Sequence, residues 1–379
     1  MPARHLYLHI PFCARRCSYC DFSIAVRSTT PVAEYIGGLR TEFGQIVRRG
    51  APAGPLETVY LGGGTPSRLG GPGLADVIEA VKQHWSIEKD AEITVEANPD
   101  DVNDLVVARW RGAGVNRVSL GAQSFDDASL KWMHRTHDVA QITEAVATLR
   151  RGGIENISLD LIFSLPDHLG RSWREDLQQA IDLAPAHLSL YGLTVEPRTP
   201  LGRWAGRGDV VEAGEEGYEA QFLAAHEALT AAGFEHYEVS NFATPGKHSR
   251  HNSAYWTGVA YLAAGPSAHS FDGSIRRWNI SAYAEWIRRL SRGEAVIAGE
   301  EMLTPENRSA ERVYLGLRTT RGLPLQAEDL SRARLWKANG WATIAGDTVR
   351  LTPLGWLRLD SLAADLAAQR EMRAASAWR

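Results

Sequence analysis

The sequence predicts an α/β protein, with a partial barrel or open twisted sheet of parallel strands followed by a smaller α+β module. Two observations support this prediction. Over the first half of the chain, short β-rich runs alternate with amphipathic segments of helical period, a pattern typical of parallel strands joined by helical crossovers. Beyond that half, the pattern changes to a long helix, a short strand and then a helix–hairpin–helix pattern near the C-terminus.

The predicted sheet consists of six strand-like runs, namely His5–Pro11, Glu57–Leu61, Glu92–Glu96, Arg117–Leu120, Asn156–Phe163 and His187–Thr194. The predicted helices between them include Val32–Arg49, Leu74–Gln83, Val139–Arg150 and Ser172–Leu183. A closed barrel of this kind has about eight strands, so a barrel built from these runs should be open along one side. In either architecture, ligand-binding groups gather at the carboxyl ends of the strands.

The region after the sixth strand changes in character. A helix is predicted over Glu212–Ala232, a short strand over Glu235–Phe242, and a polar, His-rich loop over Thr244–Asn252. Nearer the C-terminus, helices are predicted over Leu325–Asn339 and Pro353–Leu366. Between these two helices, Trp341–Leu351 resembles a two-stranded wing, so the C-terminal unit is expected to be winged-helix-like. We therefore predict a barrel at 1–235, a connecting segment at 236–300 and a C-terminal winged-helix-like domain at 301–379.

Composition excludes several classes of protein. The formal net charge is −4 over 379 residues, and the acidic and basic residues are dispersed. From Glu300 to Arg379, 12 Arg and Lys residues face 10 Asp and Glu residues, so the basic stripe that a DNA-binding winged helix needs is weak. The sequence contains no secretory signal and no apolar stretch long enough to span a membrane. We expect a cytoplasmic protein that binds no nucleic acid and has at most peripheral membrane contact.

The cysteines are the most informative residues. The chain has three, Cys13, Cys17 and Cys20, all within one short segment after the first predicted strand. Their C-x3-C-x2-C spacing would let three thiolates hold three irons of a cubane cluster and leave the fourth iron open to a ligand. The alternative is a structural zinc site, with His9 as the fourth ligand.

Polar residues at the ends of the other predicted strands suit an amino-acid-bearing cofactor. Glu96, Gln123 and Asp160 end, follow or lie in successive strands, and Arg135 comes shortly after Gln123. A zwitterionic amino acid needs one cation and one anion, and a ribose diol needs carboxylate or amide acceptors. We expect Arg135 near the cofactor carboxylate, Glu96 near its ammonium, and Gln123 and Asp160 near the ribose.

The cysteine spacing resembles the signature of the radical S-adenosylmethionine superfamily. That resemblance implies a [4Fe–4S] cluster on the three cysteines and S-adenosylmethionine on the open iron. It also implies that Tyr19 packs near the adenine and that Gly63, Gly64 and Thr65, in the run Gly62-Gly63-Gly64-Thr65-Pro66, receive the methionine amino group. The region that most closely resembles known members of the superfamily runs from Tyr7 to about Thr194. We also count these two residues as cofactor-binding.

Within that superfamily the sequence is similar to the group of oxygen-independent coproporphyrinogen III dehydrogenases and their relatives. The dehydrogenases have an N-terminal extension and a fourth cysteine two residues after the third, where this chain has Phe22. The run Cys20-Asp21-Phe22 and the motif His251-Asn252-Ser253-Ala254-Tyr255-Trp256 instead resemble the HemW family of haem chaperones. We therefore also count Phe22 among the cofactor-binding residues.

The second motif suits haem. A histidine can ligate haem iron, and aromatic residues form a flat apolar wall for a porphyrin. The resemblance therefore implies haem binding through His251, with Asn252, Tyr255 and Trp256 beside it. Arg250 is a candidate partner for a propionate, and His248 and His269 are less favoured ligands.

The predicted function is a haem chaperone that passes haem to an acceptor such as a respiratory haem protein. The resemblance also implies a reductant such as a flavodoxin or ferredoxin. The alternative is an oxygen-independent coproporphyrinogen III dehydrogenase, which the residue Phe22 disfavours.

Overall fold

A computed structural model describes residues 2–376 of the chain and the side chains of residues 2–373. Met1 and residues 377–379, the outer ends of the first and last predicted domains, lie outside this description. The strands are β1 (Ala3–Ile10), β2 (Phe12–Cys13), β3 (Ala25–Val26), β4 (Ala53–Gly63), β5 (Ile87–Ala97), β6 (Arg117–Gln123), β7 (Asn156–Phe163), β8 (His187–Gly192), β9 (Glu235–Glu238), β10 (Asn241–Ala243), β11 (Leu262–Ala264), β12 (His269–Phe271), β13 (Ile275–Asn279), β14 (Ile297–Met302), β15 (Leu323–Pro324), β16 (Ala342–Ala345) and β17 (Thr348–Leu351).

The helices alternate with these strands over the first half of the chain. They are α1 (Val32–Arg48), α2 (Gly70–Lys82), α3 (Asp104–Ala113), α4 (Asp127–Trp132), α5 (Val139–Arg151), α6 (Trp173–Asp182), α7 (Pro200–Gly206), α8 (Glu215–Ala231), α9 (Arg250–Trp256), α10 (Tyr283–Ser291), α11 (Pro305–Leu317), α12 (Leu330–Ala338), α13 (Pro353–Trp356) and α14 (Leu359–Ser376). Short 3-10 turns lie at Pro66–Leu69, Pro99–Asp101, Asp167–Leu169 and Ala327–Asp329.

The main sheet confirms the predicted partial barrel. Its strand order is β11-β1-β4-β5-β6-β7-β8-β10-β9. Strands β1, β4, β5, β6, β7 and β8 run parallel in that order and correspond to the six predicted runs. Strand β11 adds to β1 in parallel at one edge, while β10 and β9 extend the other edge in antiparallel fashion. The sheet is therefore open along one side.

Side chains alternate across this sheet, as the period of two in a strand requires. In β1, Leu6 and Leu8 are fully buried in the hydrophobic core. The intervening Tyr7 pairs with Tyr60 across the β1–β4 ladder, and their rings stack with centroids 6.1 Å apart. One face of the sheet is thus apolar and packed, and the opposite face carries the polar and aromatic groups that form the candidate site.

The segment after α8 differs from its prediction in two places. The run predicted as one strand is a hairpin of β9 and β10. The predicted loop ends early, because helix α9 begins at Arg250 and Ser249 Oγ accepts a hydrogen bond from Asn252 N at 3.3 Å. Glu92, 158 residues earlier, accepts a further hydrogen bond from Arg250 N at 3.0 Å. A carboxylate on another element supplies the partner that the helix terminus needs, so the local sequence does not reveal it.

The predicted connecting segment, 236–300, takes part in two sheets. It supplies β10 and β11 to the main sheet and forms a second sheet in the order β12-β13-β14. Helix α10 packs on α1, where Trp286 Nε1 donates to the buried Glu42 Oε2 at 3.0 Å.

The C-terminal part has the predicted order of helix, wing and helix. Strands β16 and β17 form the wing and turn at Gly346, whose φ of 59° lies in the left-handed region that glycine tolerates. The sheet order is β15-β17-β16, and helices α11, α12 and α14 surround it. Trp356 Nε1 donates to Leu317 O at 3.0 Å and joins α13 to α11. Among the helices of the described residues, none combines the length and apolarity needed to cross a membrane.

Candidate cofactor-binding site

The three cysteines lie on one loop at the carboxyl end of β1. Cys13 ends the short strand β2, and Cys17 and Cys20 follow before β3. The loop is fixed at its centre, where Ser18 N donates to Met133 O at 3.1 Å and Ser18 O accepts from Leu201 N at 2.8 Å. All three thiols therefore face one cavity from a segment that the protein scaffold holds in place.

A glycine-rich turn after β4 packs directly against the cysteine loop. Gly64 N donates to Ile10 O and Thr65 N donates to Phe12 O, both at 2.8 Å. A Cβ atom on Gly64 would lie 2.7 Å from the Pro11 backbone, so only glycine permits this approach. Thr65 Oγ1 also lies 3.4 Å from Cys13 Sγ. The two loops predicted as separate motifs form one surface.

Two partly buried carboxyl groups line the same cavity. Glu96 accepts a hydrogen bond from Tyr60 OH at 2.8 Å and another from Gly63 N at 2.9 Å. Asp160 accepts from Ser119 Oγ at 2.9 Å. Burial raises the pKa of Glu96 to about 7 and that of Asp160 to about 6. Such carboxyl groups gain from the approach of a cationic ligand, which favours their ionised form.

Arg135 is the cation of the cavity. Its Nη1 lies 3.4 Å from Cys17 Sγ, and its Nη2 donates to Asn98 Oδ1 at 2.6 Å and to Gly121 O at 3.1 Å. Within the described residues its Nε has no hydrogen-bond partner, although that atom is buried. The guanidinium is thus held beside the cysteine loop with part of its donor capacity unused.

The cavity has a volume of about 470 Å³. It brings together most of the residues predicted to bind the cluster and the cofactor, namely Cys13, Cys17, Tyr19, Cys20, Phe22, Gly63, Gly64, Thr65, Glu96, Gln123, Arg135, Asp160 and Thr194. Tyr7 does not line it. Tyr7 OH lies 3.1 Å from His9 Nδ1, and the ring lines a second cavity instead.

The donor set fits a cluster held by three cysteines. All three cysteines line this one cavity. Burial is the main cause that raises the pKa of Cys20 to about 11, and the charges of Cys17 and Cys13 raise it further. Thiols in such a position ionise when they coordinate a metal, and Arg135 offsets part of the resulting charge.

His9 does not fit the alternative zinc site. Its two ring nitrogens lie 3.1 Å from Tyr7 OH and 3.0 Å from Ser23 O, so both are engaged by other groups. Among the described residues, no group of three or more His, Cys, Asp or Glu side chains is arranged to hold a metal ion. The three cysteines are included in this absence, so what disfavours the zinc site is that both ring nitrogens of His9 are engaged.

Sequence reasoning missed several residues of this cavity. Asn98 orients Arg135, and Ser119 and Tyr191 line the wall next to Asp160. Ser119 on β6 is the cross-strand partner of Ser158, and Asp160 lies two residues further along β7 on the same face, so the period-two alternation of the predicted strands could have identified Ser119.

A second cavity, of about 810 Å³, has Tyr7 and His9 in its lining. Aromatic and aliphatic side chains form much of its wall, among them Tyr255, Trp256, Tyr261, Phe271, Tyr314 and Leu315. The polar lining side chains include His269, Arg276 and Glu311. Tyr255 and Trp256, which were predicted to lie beside haem, do share this cavity.

His251 lies behind the wall of the second cavity. It is 1 % exposed, and its ring nitrogens lie 2.7 Å from Thr58 Oγ1 and 2.9 Å from Tyr255 OH. Burial lowers its pKa to about 3, which keeps the ring neutral. As a haem ligand it would have to give up one of these two hydrogen bonds and emerge past Tyr255.

The polar neighbours of His251 do not converge on this cavity either. Asn252 is only partly buried, and its backbone N–H is bound by the helix cap at Ser249. Arg250 Nη1 donates to Asp90 O at 2.7 Å, and His248 Nε2 lies 2.7 Å from Glu235 Oε2. Of the predicted haem motif, the structure places the two aromatic residues at the cavity and the polar ones outside it.

Comparisons with known proteins agree with this geometry. Residues 7–180 match the model of the Radical SAM superfamily. The protein named "Heme chaperone HemW" from Synechocystis is 38 % identical over 84 % of this chain and 78 % of its own length. Its namesake from Mycobacterium tuberculosis is 35 % identical over 94 % and 93 % of the two chains. Its namesake from Escherichia coli is 38 % identical over 73 % of each.

Among solved structures, the coproporphyrinogen III oxidase HemN from Escherichia coli has a similar fold. The TM-score is 0.80, and the superposition covers 96 % of this chain and 90 % of that one at 21 % identity. This likeness confirms the partial-barrel fold and its C-terminal appendage. From the relatives, the superfamily match and the cysteine site together, the chain belongs to the HemW family of the radical SAM superfamily.

Proposed function

We propose that the protein is a haem chaperone that binds a [4Fe–4S] cluster, S-adenosylmethionine and haem, and that transfers haem to an acceptor protein. The observation that carries this proposal is the presence of two cavities in one chain of the HemW family. One is polar and contains the cysteines, and the other is largely apolar and aromatic. A carrier that used only one ligand would not need both.

The polar cavity supplies a partner for each part of the cofactor. Cys13, Cys17 and Cys20 would hold three irons and leave the fourth to the amino-acid end of S-adenosylmethionine. Arg135 suits its carboxylate and Glu96 its ammonium. The remaining proposed contacts are Tyr19 with the adenine, Gly63, Gly64 and Thr65 with the methionine backbone, and Gln123, Asp160 and Thr194 with the ribose.

The apolar cavity suits a porphyrin. Tyr255 and Trp256 offer aromatic surface, and Arg276 offers a cation for a propionate. The cavity volume of about 810 Å³ falls in the range of cofactor sites. His251, through its hydrogen bond to Tyr255 OH, is suited to positioning this aromatic wall.

The alternative, a coproporphyrinogen III dehydrogenase, is less well supported. The likeness to coproporphyrinogen III oxidase extends to the fold, at 21 % identity. At the position of that group's further cysteine stands Phe22, whose side chain is 62 % exposed. Reconstituted protein given coproporphyrinogen III, reductant and cofactor is expected to form no protoporphyrinogen, and steady turnover would favour the enzyme.

The proposal includes a cellular setting. The acceptor would be a haem protein such as a respiratory enzyme, and a flavodoxin or ferredoxin would supply electrons to the cluster. The protein would meet the acceptor and the electron donor in the cytoplasm or at the membrane surface. Whether S-adenosylmethionine is cleaved during transfer is decided by an assay for 5′-deoxyadenosine with and without haem.

Direct transfer tests the proposal. The anaerobically reconstituted protein is loaded with one equivalent of hemin, passed over a desalting column and mixed with the apo-form of a b-type cytochrome. We expect the acceptor spectrum to develop faster than from hemin-loaded serum albumin, which is a non-specific carrier. Equal rates from the two carriers, or no retention of hemin on the column, would contradict the proposal.

A further inference from the structure

We propose that His269, rather than His251, supplies the iron ligand of haem in the second cavity, and that Arg276 receives a propionate. This inference rests on the proposed haem function and specifies the chemistry of its site. It places the iron ligand on the small sheet β12-β13-β14 instead of on helix α9.

The histidines around the cavity differ in the state of their ring nitrogens. His9 lines the cavity, but Tyr7 OH and Ser23 O engage its two nitrogens. His251 lies behind Tyr255 with both nitrogens engaged. His269 also lines the cavity and is exposed, and among the described residues no side chain or backbone group bonds its ring nitrogens. Haem iron needs a nitrogen lone pair that is free and accessible, and His269 has one.

The small sheet orients the His269 ring. Trp278 is its cross-strand partner on β13, and the two rings stack with centroids 6.1 Å apart and planes inclined by 24°. Gly299 lies opposite Trp278 on β14, where a Cβ atom would come within 2.4 Å of the indole. The absence of a side chain on Gly299 therefore leaves room for the indole that supports the imidazole.

The same face of the sheet presents a cation. Phe271 and His269 share this face because they are two residues apart on β12, and Arg276 is the cross-strand partner of Phe271. The Arg276 guanidinium carbon lies 5.8 Å from the centroid of the Phe271 ring. Its Nη2 also bonds Glu311 Oε1 at 2.8 Å, and Glu311 lines the cavity as well. A haem propionate would compete with Glu311 for Arg276, so haem binding would replace one carboxylate partner of the guanidinium by another.

Helices α11 and α14, which pack on each other, also line the cavity. Helix α14 contributes Ala363, Ala364 and Ala367, and α11 contributes Ala310. These alanines line the cavity beside larger residues of the same two helices, Tyr314, Leu315 and Asp360. Among the described residues that line the cavity, the histidines are His9 and His269, and both ring nitrogens of His9 are engaged, so the nitrogen ligand for haem would come from β12.

Hemin titration of four proteins tests the assignment: the wild type, His269→Ala, His251→Ala and His168→Ala. His168 is the matched control, because it is exposed and its ring contacts Trp132, away from both cavities. We expect His269→Ala to weaken hemin binding by at least the roughly 10- to 100-fold that loss of a group supporting a metal ligand costs. We also expect it to lose the histidine-ligated Soret and electron paramagnetic resonance signals, while His168→Ala matches the wild type.

The His251→Ala variant separates the two candidate ligands. We expect it to keep the histidine-ligated spectrum, with at most a modest loss of affinity from the loosened Tyr255. A histidine-ligated spectrum that survives in His269→Ala and vanishes in His251→Ala overturns the assignment. Wild-type protein that binds no hemin would refute the proposed function itself, which is a distinct result.

Hemin dimethyl ester tests the propionate contact separately, since its esters cannot pair with a guanidinium. The wild type is expected to prefer hemin over the ester, and Arg276→Gln is expected to lose that preference while keeping the His269-dependent spectrum. An unchanged preference in Arg276→Gln would remove Arg276 from the site.

Discussion

The imidazole of His251 stacks on the ring of Tyr60, with centroids 5.0 Å apart and planes inclined by 25°. Each of the two residues contacts a residue that lines a different cavity. Tyr60 OH donates to Glu96 in the cysteine cavity at 2.8 Å, and His251 contacts Tyr255 OH, at the wall of the aromatic cavity, at 2.9 Å. The two cavities therefore share a buried partition of stacked rings, and changes on one side of it can be tested for effects on the other.

The substitution Tyr60→Phe probes this partition. It keeps the ring stack and removes the donor to Glu96, a hydrogen bond that lowers the pKa of Glu96. Its loss should raise that pKa further and weaken S-adenosylmethionine binding at neutral pH by about 10-fold, the effect of losing a hydrogen bond to a charged group. Hemin binding should stay unchanged. Isothermal titration with each ligand measures both effects, and a loss confined to hemin would contradict this account.

Glu96 should make cofactor binding depend on pH. Because burial raises its pKa to about 7, the carboxyl group ionises as the pH rises through neutrality. The carboxylate then attracts the cofactor ammonium, so affinity should increase from pH 6 to pH 8. The variant Glu96→Gln, which cannot ionise, should bind more weakly and lose this increase. Equilibrium dialysis with S-adenosylmethionine at several pH values measures this change in affinity. An equal dependence of affinity on pH in the two proteins would exclude Glu96 as its source.

The same pKa shift affects the stability of the protein without ligands in the opposite direction. The unfolded Glu96 carboxyl group releases its proton near 4.5, and the folded one near 7. Between those values the unfolded state binds fewer protons, so the free energy of unfolding should fall as pH rises, by at most about 3 kcal/mol. Urea unfolding of the wild type and Glu96→Gln across this window measures the contribution, which should be absent in the variant.

Gly64→Ala tests the close approach of the two loops. The new Cβ atom would lie 2.7 Å from the Pro11 backbone and push the cysteine loop outward. We expect a destabilisation of about 1–3 kcal/mol and reduced iron incorporation. Gly112→Ala is the control, because nothing lies within 4 Å of its Cβ position in α3, and it should be neutral or stabilising. Equal iron content in the two variants would contradict the predicted contact.

A buried ion pair links the C-terminal helices to the main sheet. Arg318 Nε lies 2.9 Å from Glu238 Oε2, and the Glu238 side chain is 0 % exposed. Arg318→Gln leaves that carboxylate without its cation, so we expect a loss of about 3–5 kcal/mol in the free energy of unfolding. Arg332→Gln breaks the exposed pair with Asp365 and should cost less than about 1 kcal/mol. Comparable losses in chemical denaturation would contradict the structural role of Arg318.

Much of the fold and of the cysteine cavity could be predicted from sequence, because the signals are local. The strands follow from period and residue type, and the cysteines from their spacing. Their convergence follows from the rule that parallel strands place their carboxyl ends at one edge. Gly64 could also be predicted, since a run of glycines is typical of a backbone segment that packs closely against another group.

The second cavity could not be predicted in this way. Its wall combines helix α9, the β12–β13 hairpin and helices α11 and α14, which are distant in sequence and each unremarkable alone. The burial of His251 depends on Thr58, 193 residues away. The exposed position of His269 depends on the pairing of β12 with β13. A histidine motif identifies the region, but only tertiary contacts decide which histidine is free.

In the proposed function, one chain holds a cluster and haem at the same time in separate cavities. The most direct test measures non-haem iron, acid-labile sulfide and haem in a single anaerobically reconstituted sample after hemin loading and desalting. We expect about four non-haem irons and about one haem per chain, with cluster loss in a Cys13, Cys17, Cys20→Ala variant that still binds haem. Haem that displaces the cluster, or haem binding that disappears with the cysteines, would contradict it.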